Sequence, residues 1–282
     1  MYEDYWKLKE KPFENNFDLK FLFLSLPYEE VVTRLLFVVE ERRKGAIVSG
    51  YYGSGKSLIL HQFMKKVKEL KGPYKAIYIN DPQMSMTEFH RELLHQLAPE
   101  STDHSTTGEK LETRRSLVAT LKQLLMAVHA KGGHTVLVVD EATLIPPETL
   151  EELRLLVDLC HPETQKGLFS LILAGPFDEA DLPPHLKHPA LRQRLPLKCS
   201  VGNLDEDQCG EYIKHRLSIA GQPNQLFTDD AIKKIAACSH GSPRSINNIC
   251  DLALFLGFSQ SAVKVDGDIV DLVTEEIGET LD

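Results

Sequence analysis

The sequence predicts an α/β fold: a five-stranded parallel sheet between layers of helix, followed by a small all-helical domain. Three observations predict it. Four short apolar runs, AIVSG (46–50), AIYIN (76–80), TVLVVD (135–140) and FSLILAG (169–175), recur at intervals. Stretches with apolar residues at helical spacing separate them. Past residue 202 the strand pattern stops and helical periodicity alone continues. Short strands that are apolar on both faces and alternate with helices are the sequence form of a parallel sheet covered on both sides.

Taken in order, residues 1–27 mix aromatics with Pro12, Asn15 and Asn16 and predict an irregular lead-in packed onto the body. Val31, Val32, Leu35, Leu36, Val38 and Val39 predict a helix over 29–44, ending in Arg42-Arg43-Lys44 before Gly45. Further helices are predicted over 57–70, 87–97, 111–129 and 149–159, and LPLKCSV (195–201) is the fifth candidate strand. The polar stretch STDHSTTGE (101–109) breaks the periodicity and reads as an exposed loop. Residues 205–220, 228–239, 245–258 and 266–277 each read as helical, with Thr228 as an N-cap. The expected division is a core domain over 1–202, with 1–28 as its lead-in, and a helical domain over 203–282.

Composition sets the class. The 282 residues are 42% hydrophobic and 26% charged, enough apolar surface for a real core. A net charge of −9 excludes a surface that coats nucleic acid throughout, though local basic patches fit. No apolar run approaches the ~18 residues of a membrane span, and MYEDYWKLKEKPF lacks the apolar core of a signal peptide. The five cysteines, Cys160, Cys199, Cys209, Cys238 and Cys250, are scattered and never spaced as CxxC, which predicts buried thiols of a reducing cytoplasm and neither a zinc site nor a disulfide frame.

The chemistry is concentrated at GYYGSGKS, directly after the first apolar run. Gly50-Tyr51-Tyr52-Gly53-Ser54-Gly55-Lys56-Ser57 satisfies GxxxxGK[ST] in full, the phosphate-binding loop known as Walker A, and Leu58 continues into the predicted helix. Glycines let the backbone curl with its N–H groups inward, and the positive end of the following helix adds to their attraction for phosphate. Lys56 is expected on the β- and γ-phosphates of ATP, and the Ser57 hydroxyl on Mg²⁺. Phosphate chemistry also needs a carboxylate for the metal and a group that orients water. HTVLVVDEA (134–142) delivers Asp140 and Glu141 at the C-terminal end of a buried strand, where ligands sit in open α/β sheets. Asp140 is the expected outer ligand of Mg²⁺ and Glu141 the expected base or water-positioner.

Other features are weaker alone. Arg192 and Arg194 in HPALRQRL precede the fifth strand, and Arg244 in GSPRSIN opens a helix after Pro243. The pairs His90/His95 and His185/His188 have no acidic or Cys partners at ligand spacing and are not expected to hold a metal. Arg42-Arg43-Lys44, Lys65-Lys66-Lys68 and Lys110 with Arg114-Arg115 read first as solvated helix faces and second as a DNA track.

Taken together, "YWKLKEKPF", "GYYGSGKS", "LVVDEATLI", "LEELRLL", "LILAG", "LRQRL", "EYIKHRLSIAG", "LFTDDAI" and "GSPRSINNICDLAL" resemble, in order and over nearly the full length, the AAA+ ATPases of the ExeA/GspA type. The resemblance implies an αβα P-loop ATPase core with a helical lid, ATP held between them and between subunits of a ring or filament, and remodelling or recruitment of a partner. It implies that Arg194, with Arg192 as its rival, is an arginine finger reaching a neighbour's γ-phosphate, and that Arg244 senses phosphate in cis. The alternative it implies is a nucleotide-gated, DNA-binding regulator of the transposition type. Two departures, both at positions the resemblance puts near a group that senses the γ-phosphate, point to weak hydrolysis: Gly175 runs into Pro176 where the family has a glutamine, and Asp158 replaces an asparagine. The membrane span and peptidoglycan-binding part of full-length secretion-type members are not in this sequence, so a role in cell-wall passage is not expected.

Overall fold

The structure, a computed structural model, describes residues 1–99, 113–177, 184–187 and 189–279. The chain forms two compact units, one of residues 30–50 and 59–200, the other of residues 1–29, 51–58 and 201–282. The loop expected over 101–109 lies outside the described residues.

The first unit carries the sheet. Strands β1 (Gly45–Ser49), β2 (Lys75–Ile79), β3 (Thr135–Val139), β4 (Phe169–Gly175) and β5 (Leu197–Ser200) run parallel in the order β2-β3-β4-β1-β5. All five predicted strands are present. The last is shorter than expected because Leu195 N–H closes the preceding helix on Leu191 O and Pro196 has no N–H to give. Ser49 lies opposite Gly175 on one side and Ser200 on the other, and Val139 lies opposite Leu173. The C-terminal ends of the strands therefore share one edge, from which Gly50 and Asp140 both emerge.

Helix α2 (Leu26–Glu40) precedes β1, and helices α3 (Lys56–Glu69), α4 (Met86–Leu97), α5 (Arg114–Ala130), α6 (Pro147–Leu156) and α7 (Pro189–Arg194) lie between successive strands. Helix α2 stops four residues before its predicted end. Arg42 takes the left-handed conformation (φ 51°), with Arg42 N–H on Val39 O and Arg43 N–H on Val38 O, a Schellman closure. Helix α4 starts at a capping box of Ser85 and Glu88. Phe89, Leu93 and Leu97 of α4, Leu121 and Leu125 of α5, and Leu150, Leu153 and Leu156 of α6 pack with Ile47, Ile77, Ile79, Leu137, Val139, Leu171 and Leu173 of the sheet. The strand period of two sends Ala46, Val48, Val136, Val138, Ile172 and Ala174 to the other face, where they are also buried. At about 1.5–3 kcal/mol per large apolar side chain, this two-sided burial is the main force holding the edge residues in register.

The second unit is helical: α8 (Glu206–Ile219), α9 (Asp229–Ser239), α10 (Pro243–Ser259) and α11 (Gly267–Glu279). Thr228 caps α9 as expected, its hydroxyl accepting from Ala231 N–H. The lead-in is not wholly irregular. It contains α1 (Tyr2–Trp6) and a 3₁₀ turn at Leu19–Phe21, because Trp6, Phe13 and Phe21 each find a buried seat. Trp6 Nε1–H donates to Leu254 O at 2.9 Å. The buried Arg216 donates to Pro12 O and Glu14 O and lies over the Phe21 ring, fastening the lead-in to α8.

Candidate nucleotide site

Within the helical unit, residues 51–58 form the loop and the first turn of α3. Gly53 (φ +79°) and Gly55 (φ +91°) adopt the left-handed backbone that lets the loop curl. Arg244 N–H, in the first turn of α10, donates to Gly53 O at 3.3 Å, and the Tyr28 hydroxyl donates to Ser54 O at 3.0 Å. With these two carbonyls tied outward, the curl is braced by α10 and by the start of α2. Lys56 is almost fully buried, its Nζ donating to Tyr51 O at 2.9 Å and lying 5.7 Å from the Tyr52 ring centroid. Tyr51 and Tyr52 are themselves exposed. Ser57 and Leu58 are half-buried at the head of α3, whose first turn carries no acidic residue, so nothing there offsets the positive helix end. Sequence and structure thus agree on Arg244 at a helix start after Pro243.

Within the sheet unit, Gly50 N–H donates to Gly175 O at 3.3 Å, fixing where β1 gives way to the loop. Asp140, only 3% exposed, sits at the same edge. The Tyr78 hydroxyl of β2 donates to its Oδ2 at 2.8 Å and Glu141 N–H donates to its Oδ1 at 2.9 Å. No Lys or Arg pairs with this carboxyl group among the described residues, so two buried acceptor oxygens are left without a cationic partner. That is the environment that recruits a cation. Carboxylate and hydroxyl oxygens are the donors a hard ion such as Mg²⁺ takes, with phosphate oxygens and water completing its shell. Glu141 is half-buried in the left-handed conformation (φ 47°), a strained placement for a residue with a side chain.

The arginines before β5 differ. Arg194 donates from Nε and Nη2 to Asp158 Oδ2 at 2.8 and 2.6 Å and from Nη1 to Ala190 O at 3.0 Å. Asp158 also binds Lys44 Nζ at 2.6 Å, and Arg194 first, then Lys44, holds its carboxyl below the usual range. Lys44 precedes β1, so Asp158 lies at the opposite edge of the sheet from Gly50 and Asp140. The expectation that Asp158 stands near a γ-phosphate sensor is therefore corrected: two cations at the N-terminal edge claim it. Arg192 is exposed and has no ion pair among the described residues. It lines a cavity of about 110 Å³ with Ser49, Lys198 and Ser200.

Residues 39–181, just over half of the chain, match the AAA domain family. The chain belongs to that family. Over 273 residues it is 30% identical to general secretion pathway protein A of Aeromonas hydrophila, an alignment covering 95% of this chain and 47% of that protein. The chain thus spans about half the length of that relative. Among solved structures, it is similar to ORC2 of Aeropyrum pernix in ADPNP–ADP complexes, with 14% identity, a TM-score of 0.68, and coverage of 95% of this chain and 71% of that one. It is also similar to the RuvB Holliday junction branch migration motor of Thermotoga maritima, with 18% identity, a TM-score of 0.56, and coverage of 88% and 68%. At such identities these neighbours establish the P-loop NTPase fold alone. The AAA match spans the loop, Asp140 and Glu141 but ends before Arg192, Arg194 and Arg244.

Two residues that hold the candidate site went unseen in the sequence, Tyr28 and Tyr78. Each sits beside apolar neighbours in a helix or strand, and nothing local in the sequence marks its hydroxyl as a bonding partner. The histidine pairs hold no metal-binding group of three among the described residues. His90 Nδ1 lies 2.9 Å from Met86 O and Nε2 3.2 Å from Glu152, while His185 Nε2 lies 3.2 Å from Ile145 O; His188 lies outside the described residues. All five cysteines are free, but only Cys199, Cys209 and Cys250 are buried as expected; Cys160 is half-buried and Cys238 exposed. No helix among the described residues is long and apolar enough to cross a membrane.

Proposed function

We propose that this AAA domain chain binds and hydrolyses Mg-ATP and uses its nucleotide state to recruit or remodel a partner, with residues 1–202 as the ATPase core and 203–282 as the lid. The observation that carries the reading is Asp140, a buried carboxylate without a cationic partner at the strand edge where Gly50 opens the phosphate loop. In this reading Lys56 and the amides of residues 51–58 bind the phosphates, while Ser57 and Asp140 hold Mg²⁺, which screens phosphate charge when bound. Tyr78 keeps Asp140 oriented. Glu141 accepts a proton from the attacking water, and Arg244 couples the loop to the lid through Gly53. Assembly of copies into a ring or filament brings an arginine to a neighbouring nucleotide. Arg192 is exposed, whereas Arg194 must first leave Asp158, so the geometry favours Arg192 over the arginine preferred from the sequence. A cytoplasmic setting belongs to the same proposal.

The test is ATP turnover per subunit against protein concentration, for the wild type and for Glu141→Gln. Turnover should rise with concentration and fall by about 10²-fold or more in the variant. A rate that is flat with concentration and unchanged in the variant removes the reading. The DNA-binding alternative gains little here: Arg42 is engaged by His129 and Gly132 O, Lys44 by Asp158 and Arg114 by the buried Glu152, and Lys110 lies outside the described residues. Salt-sensitive, ATP-dependent retention of DNA would restore it.

A further inference from the structure

Strand β2 ends the sheet order and pairs with β3 alone, so one side of its backbone has no neighbouring strand. An open strand edge presents N–H and C=O groups that something else must satisfy. At Tyr78 one side chain satisfies both. Gln96, in the last turn of α4, accepts from Tyr78 N–H through Oε1 at 3.1 Å and donates from Nε2 to Tyr78 O at 3.0 Å. Its Nε2 also donates to Glu92 Oε1 at 2.6 Å, one helical turn back, which fixes the orientation of the amide. A carboxamide carries an acceptor and two donors on one planar frame, so it reproduces what a neighbouring strand would offer. Leu93 and Leu97 of the same helix are buried in the core, which anchors α4 against the sheet.

The residue clamped in this way is the one that reaches the candidate site. The Tyr78 hydroxyl donates to Asp140 Oδ2 at 2.8 Å, and its ring meets His61 edge-on with centroids 4.7 Å apart. That hydroxyl stands at the far end of a long rigid side chain, so a small rotation of the Tyr78 backbone carries it out of hydrogen-bond reach. Gln96, Tyr78, His61 and Asp140 all belong to the sheet unit. We propose that Gln96 is a positioning residue for Asp140: it closes the open edge of β2 at Tyr78 and thereby holds the Tyr78 hydroxyl on the carboxyl group. The inference rests on the reading of Asp140 as a Mg²⁺ ligand and extends it to a side chain that touches neither metal nor nucleotide. Such outer partners set how firmly a ligand is aimed at its metal.

The test is a double-mutant cycle of Gln96→Met, which keeps the side-chain length and removes both backbone bonds, with Tyr78→Phe. Two quantities are measured: the Mg²⁺ concentration for half-maximal binding of a non-hydrolysable ATP analogue, and hydrogen exchange at the Tyr78 amide without metal or nucleotide. Gln96→Met should raise the Mg²⁺ requirement by about two- to fivefold. It should also speed exchange at Tyr78 while the amides of β3 stay protected. In the Tyr78→Phe background it should leave the Mg²⁺ requirement where Tyr78→Phe alone puts it. A side chain that only stabilises the fold would shift the requirement equally in both backgrounds. That result overturns the inference, as does an unchanged requirement in Gln96→Met. Should Gln96→Met fail to fold, Gln96→Glu keeps the acceptor for Tyr78 N–H and loses the donor to Tyr78 O. It should give a smaller shift with the same dependence on the Tyr78 hydroxyl, and no shift overturns the inference. If Tyr78→Phe moves the Mg²⁺ requirement and the Gln96 variants do not, Gln96 alone is removed; if the wild type binds the analogue equally well without Mg²⁺, the metal reading falls too.

Discussion

Replacing Gly53 by alanine tests how the phosphate loop is braced against α10. A Cβ at Gly53 would lie 2.9 Å from Arg244 Cβ and 2.9 Å from Ser242 Oγ, on a backbone with φ +79°. Gly55 provides the control: its φ is +91°, yet a Cβ there meets nothing within 4 Å. The left-handed backbone costs alanine roughly 1–2 kcal/mol at either site. Forcing a methyl group into packed atoms adds about 1–3 kcal/mol more. Gly53→Ala should therefore destabilise the chain by about 2–5 kcal/mol, and Gly55→Ala by about 1–2 kcal/mol. Urea unfolding without nucleotide, followed by both circular dichroism and Tyr28-region hydrogen exchange, measures the difference and shows whether the two probes coincide. Ser242→Ala in the Gly53→Ala background should recover part of the loss, because it removes one of the two close atoms. Equal destabilisation by the two glycine variants would refute the claim that α10 seats directly on the loop.

Three further outcomes follow from particular contacts. Ser170 Oγ donates to Arg43 O and so accepts from His134 Nε2–H at 2.9 Å, leaving Nδ1 buried and unpartnered. Burial, with Arg42 and His129 nearby, pushes the His134 pKa down to about 4. As pH falls below ~6.5 the unfolded chain takes up this proton before the folded one, so the fold loses stability until about pH 4, by about 3 kcal/mol in all. Urea midpoints between pH 7 and 4 should show that loss, and His134→Gln should flatten it. Arg114 and Arg115 are both exposed, but Arg114 donates from Nε to the buried Glu152 at 3.0 Å, whereas Arg115 has no ion pair among the described residues. Arg114→Ala should cost about 1–3 kcal/mol in thermal unfolding and Arg115→Ala less than about 0.5 kcal/mol. Tyr78→Phe removes a hydrogen bond that orients Asp140 while leaving the ring against His61. It should raise the Mg²⁺ concentration needed for half-maximal nucleotide binding by about fivefold, with no comparable change in Mg²⁺-free ADP binding.

The phosphate loop was legible because its signal is local: eight consecutive residues carry the backbone freedom, the cation and the hydroxyl. Asp140 and Glu141 were legible for a related reason, an apolar strand ending in two acids. The contacts that orient these groups were not. Tyr78 reaches Asp140 across 62 positions and Tyr28 reaches Ser54 across 26. Asp158 was placed at the wrong edge of the sheet, because sequence position within "RLLVDLC" says nothing of Lys44 and Arg194, which claim it from 114 and 36 positions away.

By itself, the sequence determined where strands and helices alternate, where the chain turns all-helical, and which eight residues carry the GxxxxGK[ST] pattern. Periodicity and glycine content act over a few neighbouring positions, so these features need no knowledge of the rest of the chain. Tertiary structure alone decided that β4 inserts between β1 and β3, that residues 1–29 and 51–58 join the C-terminal helices in one compact unit, and that Gln96 closes the open edge of β2 at Tyr78. Each of those outcomes is set by which buried surfaces meet, and that depends on the shape of distant segments rather than on their order along the chain.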